Sequence, residues 1–241
     1  MEIVENKTKG RIHYVPCLKC KRETNHIVLS SIKAIGRDFF DDEAYFQWEI
    51  LNEIIQCQGC DEISFRQCAS DSESYDDDKG IYYSTVTLYP KRTEETIHIK
   101  SYHNLPDNIY RLYKETIACY NNDIMTLCAG GVRAIVEGIC LDKNIKDGEI
   151  SYTDKEGNQK TKRDKNLQGK IQGLVEKHIL TKDNAQSLDE HRILGNEALH
   201  ELSLPSQEEL SLAIRIIEHF LDNIYEIPEK TNELKKRRTT V

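Results

Sequence analysis

Two cysteine pairs, CLKC at residues 17–20 and CQGC at residues 57–60, restrict the first part of this chain more than any other feature. A C-x-x-C turn aims both sulfurs at one point, and two such turns supply the four ligands of a closed tetrahedral zinc site. The spacing predicts one structural Zn²⁺ held by Cys17, Cys20, Cys57 and Cys60, with no coordination position left for a substrate. Unrelated thiols or a redox pair are the alternatives. The 36 residues between Cys20 and Cys57 exceed the needs of a minimal zinc ribbon, and extra strand such as AYFQWEIL can fill the interval. His26 lies near the first pair, but four thiolates already complete a shell, so it reads as a surface or strand histidine. The metal would stabilise a module too small to hold itself by hydrophobic burial.

The other cysteines do not suggest disulfides. Cys119, Cys128 and Cys140 fall within helical apolar patterns, where a free thiol packs as a small hydrophobe, and Cys68 has no evident partner. This is the usage of a reducing compartment. Net charge is −8 and the pI is near 5.6, which argues against a protein that coats nucleic acid wholesale but allows a local basic patch. The opening stretch MEIVENKTKGRIHYV lacks the apolar core of a signal peptide. No run approaches the ~20 apolar residues of a membrane span. The expectation is a cytoplasmic protein with no membrane partner.

The fold class expected is α+β. Residues 1–100 read as a β-rich zinc-ribbon module: RIHYV, TNHIVLSSI, AYFQWEIL and IYYSTVTLYP are rich in β-branched and aromatic residues. DSESYDDD, residues 71–78, reads as a solvated acidic loop. From residue 104 the apolar period becomes helical, and residues 104–227 read as an antiparallel bundle. Asn104 and Pro106 suit a helix start, and Asp123 opens a second helix with a stripe running from Ile124 and Leu127 to Cys140. Gly130 and Gly131 inside it cost about 1 kcal/mol each, which predicts close approach of a neighbouring helix. Residues 142–165 form a charged loop or hairpin insertion. Asn166 can cap a third helix reaching Ile179, and a fourth runs from about Asp183 towards Gly195. Ser206 and Glu209 make a capping box for a fifth. Residues 228–241 read as a basic, frayed tail.

HRILGNEALHE, residues 191–201, carries the candidate chemistry. If helix continues through Gly195, then Arg192, Asn196 and His200 form one ridge spanning about 80° of arc and about 12 Å of axis. Arg133 and Glu137, also four apart, lie off the apolar stripe of the second helix and could join them; as a surface salt bridge they would contribute under ~1 kcal/mol. Histidine suits proton transfer near neutral pH. A guanidinium can stabilise a phosphorane-like transition state, and an amide can orient either group. RNA brings its own nucleophile, the 2′-hydroxyl, so no metal is required. The alternative is structural: Arg192 and Asn196 brace a helix bend and His200 bonds a backbone carbonyl.

GGVRAIVEGIC, NLQGKIQGLVEKHIL and RILGNEALH together resemble the bacterial family known as domain of unknown function 4145. The matching positions are Arg133 and Glu137, then Leu167, Lys170 and Ile171, then Arg192, Gly195, Asn196 and His200, within residues 104–227. Trp48 before CQGC is similar to the zinc ribbon that often precedes this domain. The resemblance implies a HEPN-like helical bundle, a superfamily with many dimeric, metal-independent ribonucleases, and a link to anti-phage defence. In the HEPN motif an arginine precedes a polar residue and, after three more, a histidine. Here Gly195 stands at that arginine position, with Asn196 and His200 in register and Arg192 one turn earlier. On this resemblance the chain is expected to be a homodimeric, cytoplasmic ribonuclease, active or latent. His200 would be its acid/base, Arg192 its phosphate stabiliser and Asn196 its positioning group. RNA or another nucleic acid, or a defence-system protein, would be the partner. The alternative is a non-catalytic module that binds nucleic acid or protein.

Overall fold

The structure, a computed structural model, describes residues 1–39, 45–76, 79, 81–154 and 156–239. It is an α+β chain, an antiparallel sheet followed by helices, in two compact units of residues 1–98 and 99–241.

The first unit contains β1 (Glu2–Glu5), β2 (Ile12–Cys17), β3 (Arg22–Phe39), β4 (Tyr45–Cys57), β5 (Ile63–Asp71), β6 (Tyr75–Asp76), β7 (Ile81–Tyr82) and β8 (Thr85–Tyr89). The main sheet has the order β1-β3-β4-β5-β8, with β2 paired to the other end of β3. All pairings are antiparallel, and a bulge between Val28 and Ser30 bends the long β3. Val28, Ile55 and Leu88, with Val15 against them, form its apolar cluster. The acidic stretch expected as a loop is a turn at Ser72 and Glu73, followed by β6, which pairs with β7. Residues 77 and 78 of that stretch lie outside the described residues.

Beside this cluster lies a fully buried carboxylate. Glu53 on β4 has no exposed side-chain surface, and its Oε2 is 2.7 Å from Arg66 Nη1 and 3.0 Å from His13 Nε2. Burial alone would raise its pKa, but Thr8, Arg66 and His13 outweigh it and hold the carboxyl below its usual range.

The second unit contains α1 (Asp107–Asn121), α2 (Met125–Asp142), the hairpin β9 (Gly148–Thr153) and β10 (Gln159–Asp164), α3 (Leu167–Glu176), α4 (Lys182–His200), α5 (Gln207–Leu221), a π-helical turn (Asp222–Glu226) and α6 (Ile227–Thr239). The charged insertion is thus a hairpin. It docks on α3, where the Glu149 N–H donates to Glu176 Oε1 at 2.7 Å. Asn166 caps α3 by accepting from the Gly169 N–H, and Ser206 with Glu209 forms the capping box of α5. Gly130 and Gly131 of α2 are both close approaches: a methyl on Gly131 would collide with Thr116 of α1, and one on Gly130 would press on Leu199 of α4.

Four expectations need correction. Ile124 and Leu127 are 45% and 59% exposed, so the buried stripe of α2 starts only at Cys128. Asp123 has φ 58° and belongs to the turn before α2. Ile179 lies past the end of α3, where His178 takes φ 57°. The basic tail is helical to Thr239 because α5 runs on through the π turn. Glu226 in that turn is buried and accepts from the His103 and Asn104 N–H groups, each at 2.8 Å. Lys236, Arg237 and Arg238 then fall in the last turn of α6, the end a helix dipole favours for cations.

Glu53→Ala leaves Arg66 and His13 without their carboxylate, and is expected to cost about 3–5 kcal/mol in denaturant unfolding at pH 7. Since the folded carboxyl titrates below its ordinary value of 4.5, its contribution is complete above that value and is lost as pH falls through the depressed one. The wild-type advantage over Glu53→Ala should therefore shrink on acidification. An advantage unchanged down to strongly acidic pH would contradict this account.

Candidate functional site

The two cysteine pairs occupy equivalent turns. Cys17 closes β2 and Cys57 closes β4. The Lys21 N–H donates to the Cys17 carbonyl at 2.8 Å, and the Asp61 N–H to the Cys57 carbonyl at 3.0 Å. Lys21 and Asp61 follow the second cysteine of each pair and take left-handed φ values of 55° and 60°, at a cost of roughly 1–2 kcal/mol per residue. The β3–β4 hairpin absorbs the long interval in sequence and returns Cys57 opposite His26.

All four Sγ atoms consequently lie within 4.8 Å of one another. Cys17 and Cys60 are 3.6 Å apart, Cys20 and Cys57 3.8 Å. A tetrahedron with metal–sulfur bonds of about 2.3 Å has edges of about 3.8 Å, so the donor set is compatible with one zinc ion. The Thr24 hydroxyl and the Gly59 N–H lie 3.2 and 3.3 Å from Cys57 Sγ. Burial alone would raise the Cys57 thiol, but these donors bring it down to about 6. Cys20, hydrogen-bonded by Cys60 and desolvated, is pushed up to about 12. Four thiols this close cannot all ionise without a cation among them. His26 is a strand histidine but not a surface one: it is 1% exposed, with Nδ1 3.0 Å from the Thr24 carbonyl oxygen. Cys128 and Cys140 are core thiols that burial pushes up to about 12.

In the second unit α4 does not break at the Gly-Asn pair; it continues to His200. Arg192 is half-buried and gives a two-pronged pair to Asp189, Nε to Oδ1 at 2.6 Å and Nη2 to Oδ2 at 3.1 Å. Asn196 is half-buried and His200 exposed. Among the described residues, neither side chain makes a hydrogen bond. Arg133 pairs with Glu137 at 3.2 Å on α2. It also crosses α4, because a Cβ on Gly195 would lie 2.6 Å from Arg133 Cβ and 3.0 Å from its Cδ. The structure therefore packs Arg133 against α4 at the buried Gly195, beside rather than on the ridge, and occupies Arg192 with Asp189. Leu188 beside the ridge is buried, whereas Leu199 is 39% exposed.

Sequence reasoning passed over two residues here. His191 is 2% exposed, with its ring nitrogens 2.8 Å from the Ser187 carbonyl oxygen and 2.9 Å from that of Ala213, so it ties α4 to α5. Asp189 was legible as the i−3 partner of Arg192.

Alanine is favoured over glycine inside a helix by about 1 kcal/mol, but overpacking a close contact costs about 1–3 kcal/mol. At Gly195 the Arg133 contact should win, so Gly195→Ala is expected to lower the melting temperature. At Gly138 a Cβ would meet only Ile109, at an ordinary 3.5 Å, so Gly138→Ala should raise it. A Gly195→Ala protein as stable as Gly138→Ala would rule out the close crossing.

No curated protein and no solved structure matches the chain. A family model described as "Domain of unknown function (DUF4145)" matches residues 114–237, from α1 to α6. Since that match spans just over half of the chain and takes in Arg133, Glu137, Arg192, Asn196 and His200, the protein belongs to the DUF4145 family.

Proposed function

We propose that the helical unit is a HEPN-like, metal-independent endoribonuclease, active or latent, working as a homodimer in bacterial anti-phage defence. The four-cysteine module, a zinc ribbon in this reading, holds one structural Zn²⁺ and recognises the target or a partner. The observation that carries the reading is the end of α4: an amide and an imidazole, the half-buried Asn196 and the exposed His200, make no hydrogen bond inside the chain among the described residues. RNA supplies the 2′-hydroxyl nucleophile, His200 moves the proton, and a guanidinium at the ridge stabilises the phosphorane charge. Asn196 orients the phosphate.

A second copy has a surface to dock on. Leu199, Leu202 and Leu204 are exposed at the end of α4 and just beyond it. Because Gly130 meets Leu199 while Arg133 meets Gly195, α2 and α4 run antiparallel, which brings the exposed Ile124 and Leu127 towards the same end. A non-catalytic binding module is favoured by one observation: Arg192, the arginine nearest the motif in sequence, is already held by Asp189.

Wild type and His200→Ala expressed in the same bacterial host separate the readings. Ribonuclease chemistry predicts growth arrest and RNA fragmentation with wild type, and a cleavage rate about 10²–10⁴-fold lower in the variant. Intact RNA in both, with equal nucleic-acid or protein binding, points to the binding module. Metal analysis of the purified chain is expected to find one zinc per chain, lost in Cys57→Ser.

A further inference from the structure

Arg92 lies just beyond β8 and is 5% exposed. A buried guanidinium normally meets a carboxylate, because an uncompensated charge away from water costs several kcal/mol. The hydrogen-bond partners of Arg92 are neutral. Its Nε donates to the Pro16 carbonyl at 2.6 Å, its Nη1 to the Pro90 carbonyl at 3.0 Å, and its Nη2 to Ser64 Oγ at 2.8 Å. Among the described residues no Asp or Glu forms an ion pair with it. Two of the anchors adjoin the metal ligands or their strands: Pro16 precedes Cys17, and Ser64 pairs with Ile55 two residues before Cys57. Burial lowers the basicity of Arg92, and the groups that oppose this are Cys17 and Cys57.

Metal-bound sulfurs would supply the missing anion. Four protonated thiols present no charge for Arg92 to offset. Four thiolates around Zn²⁺ carry a net charge of −2. We propose that Arg92 is the buried counter-cation of the four-thiolate metal centre, offsetting one of its two negative charges while anchoring the first cysteine turn through Pro16. This role rests on the zinc reading of the four cysteines. It adds that Arg92 contributes to metal affinity through its charge, and that it protects the sulfurs by lowering their nucleophilicity.

The test uses the full chain as wild type, Arg92→Gln and Arg92→Lys. It measures zinc affinity by chelator competition and the rate at which iodoacetamide alkylates the zinc-loaded proteins. Outer-shell partners of metal sites typically contribute about 10–100-fold in affinity, so Arg92→Gln should lose that much and alkylate faster. Arg92→Lys keeps the charge without the three-way hydrogen bonding and should retain most of the affinity. Unchanged affinity and alkylation in Arg92→Gln would overturn the proposal, as would a loss in Arg92→Lys equal to that in Arg92→Gln. Should Arg92→Gln fail to fold, Arg92→Lys decides alone: near-wild-type affinity supports the role of charge, and a full loss refutes it. Wild type that neither carries zinc nor takes it up would sink the metal reading itself, an outcome distinct from zinc bound equally well by all three proteins.

Discussion

The approach of four cysteine sulfurs to within 4.8 Å of one another is the constraint that shapes the N-terminal unit, whose apolar cluster is small among the described residues. Its apolar cluster is Val28, Ile55 and Leu88 with Val15. Burying one such side chain contributes about 1.5–3 kcal/mol, whereas metal binding in a small module is itself folding free energy, of order 10 kcal/mol. The sulfurs bring the tip of the β2–β3 hairpin beside that of β4–β5. The same unit buries two charges and treats them differently. Glu53 is met by Arg66 in a direct ion pair, with His13 Nε2 3.0 Å from the same carboxylate oxygen. Arg92 is met by carbonyls and a hydroxyl, and among the described residues no Asp or Glu forms an ion pair with it.

The helical unit belongs to another regime. A continuous stripe on α2 from Cys128 to Cys140 is buried, as are Ile171, Leu174, Leu188, Leu210 and Ile214 on the helices around it. Side-chain caps fix where α3, α4 and α5 begin, and small residues fix how closely the helices cross. Gly130 and Gly131 admit α4 on one side and α1 on the other, so the propensity cost of two central glycines is offset by packing on both flanks. Polar ties then pin the ends: His191 reaches two carbonyls, on α4 and α5, and Glu226 caps the chain ahead of α1.

Legibility in the sequence divides along the same line. Local rules were readable where the partner lies a few residues away. The C-x-x-C turns, the Asn166 cap, the Ser206–Glu209 box and the change from strand to helical period are of this kind. What could not be read depends on distant partners. A stripe position such as Leu127 has the right phase but no neighbour to cover it. Lys236 to Arg238 look like a frayed end until the π turn carries α5 onward. Arg92 is an ordinary surface residue by composition, and only strand pairing between β4 and β5 and the return of β8 place it beside cysteines 35 and more residues away. At the ridge, the i, i+4 spacing was readable, but the competing Asp189 and the crossing of Arg133 arise from rotamers and helix packing.

That last difference bears on which guanidinium could serve a phosphate. Recruiting Arg192 means breaking two charge-assisted bonds to a half-buried Asp189, a loss of order 1.5–3 kcal/mol per bond. Recruiting Arg133 means giving up an i, i+4 pair to Glu137, whose side chain is 44% exposed. Such a pair contributes under about 1 kcal/mol. Arg133 Nε is buried with no hydrogen-bond partner among the described residues. A residue larger than glycine at position 195 would push Arg133 off α4. Gly195 is thus a clearance: its missing side chain admits an arginine from the neighbouring helix. Releasing Arg133 from Glu137 therefore costs less than releasing Arg192 from Asp189.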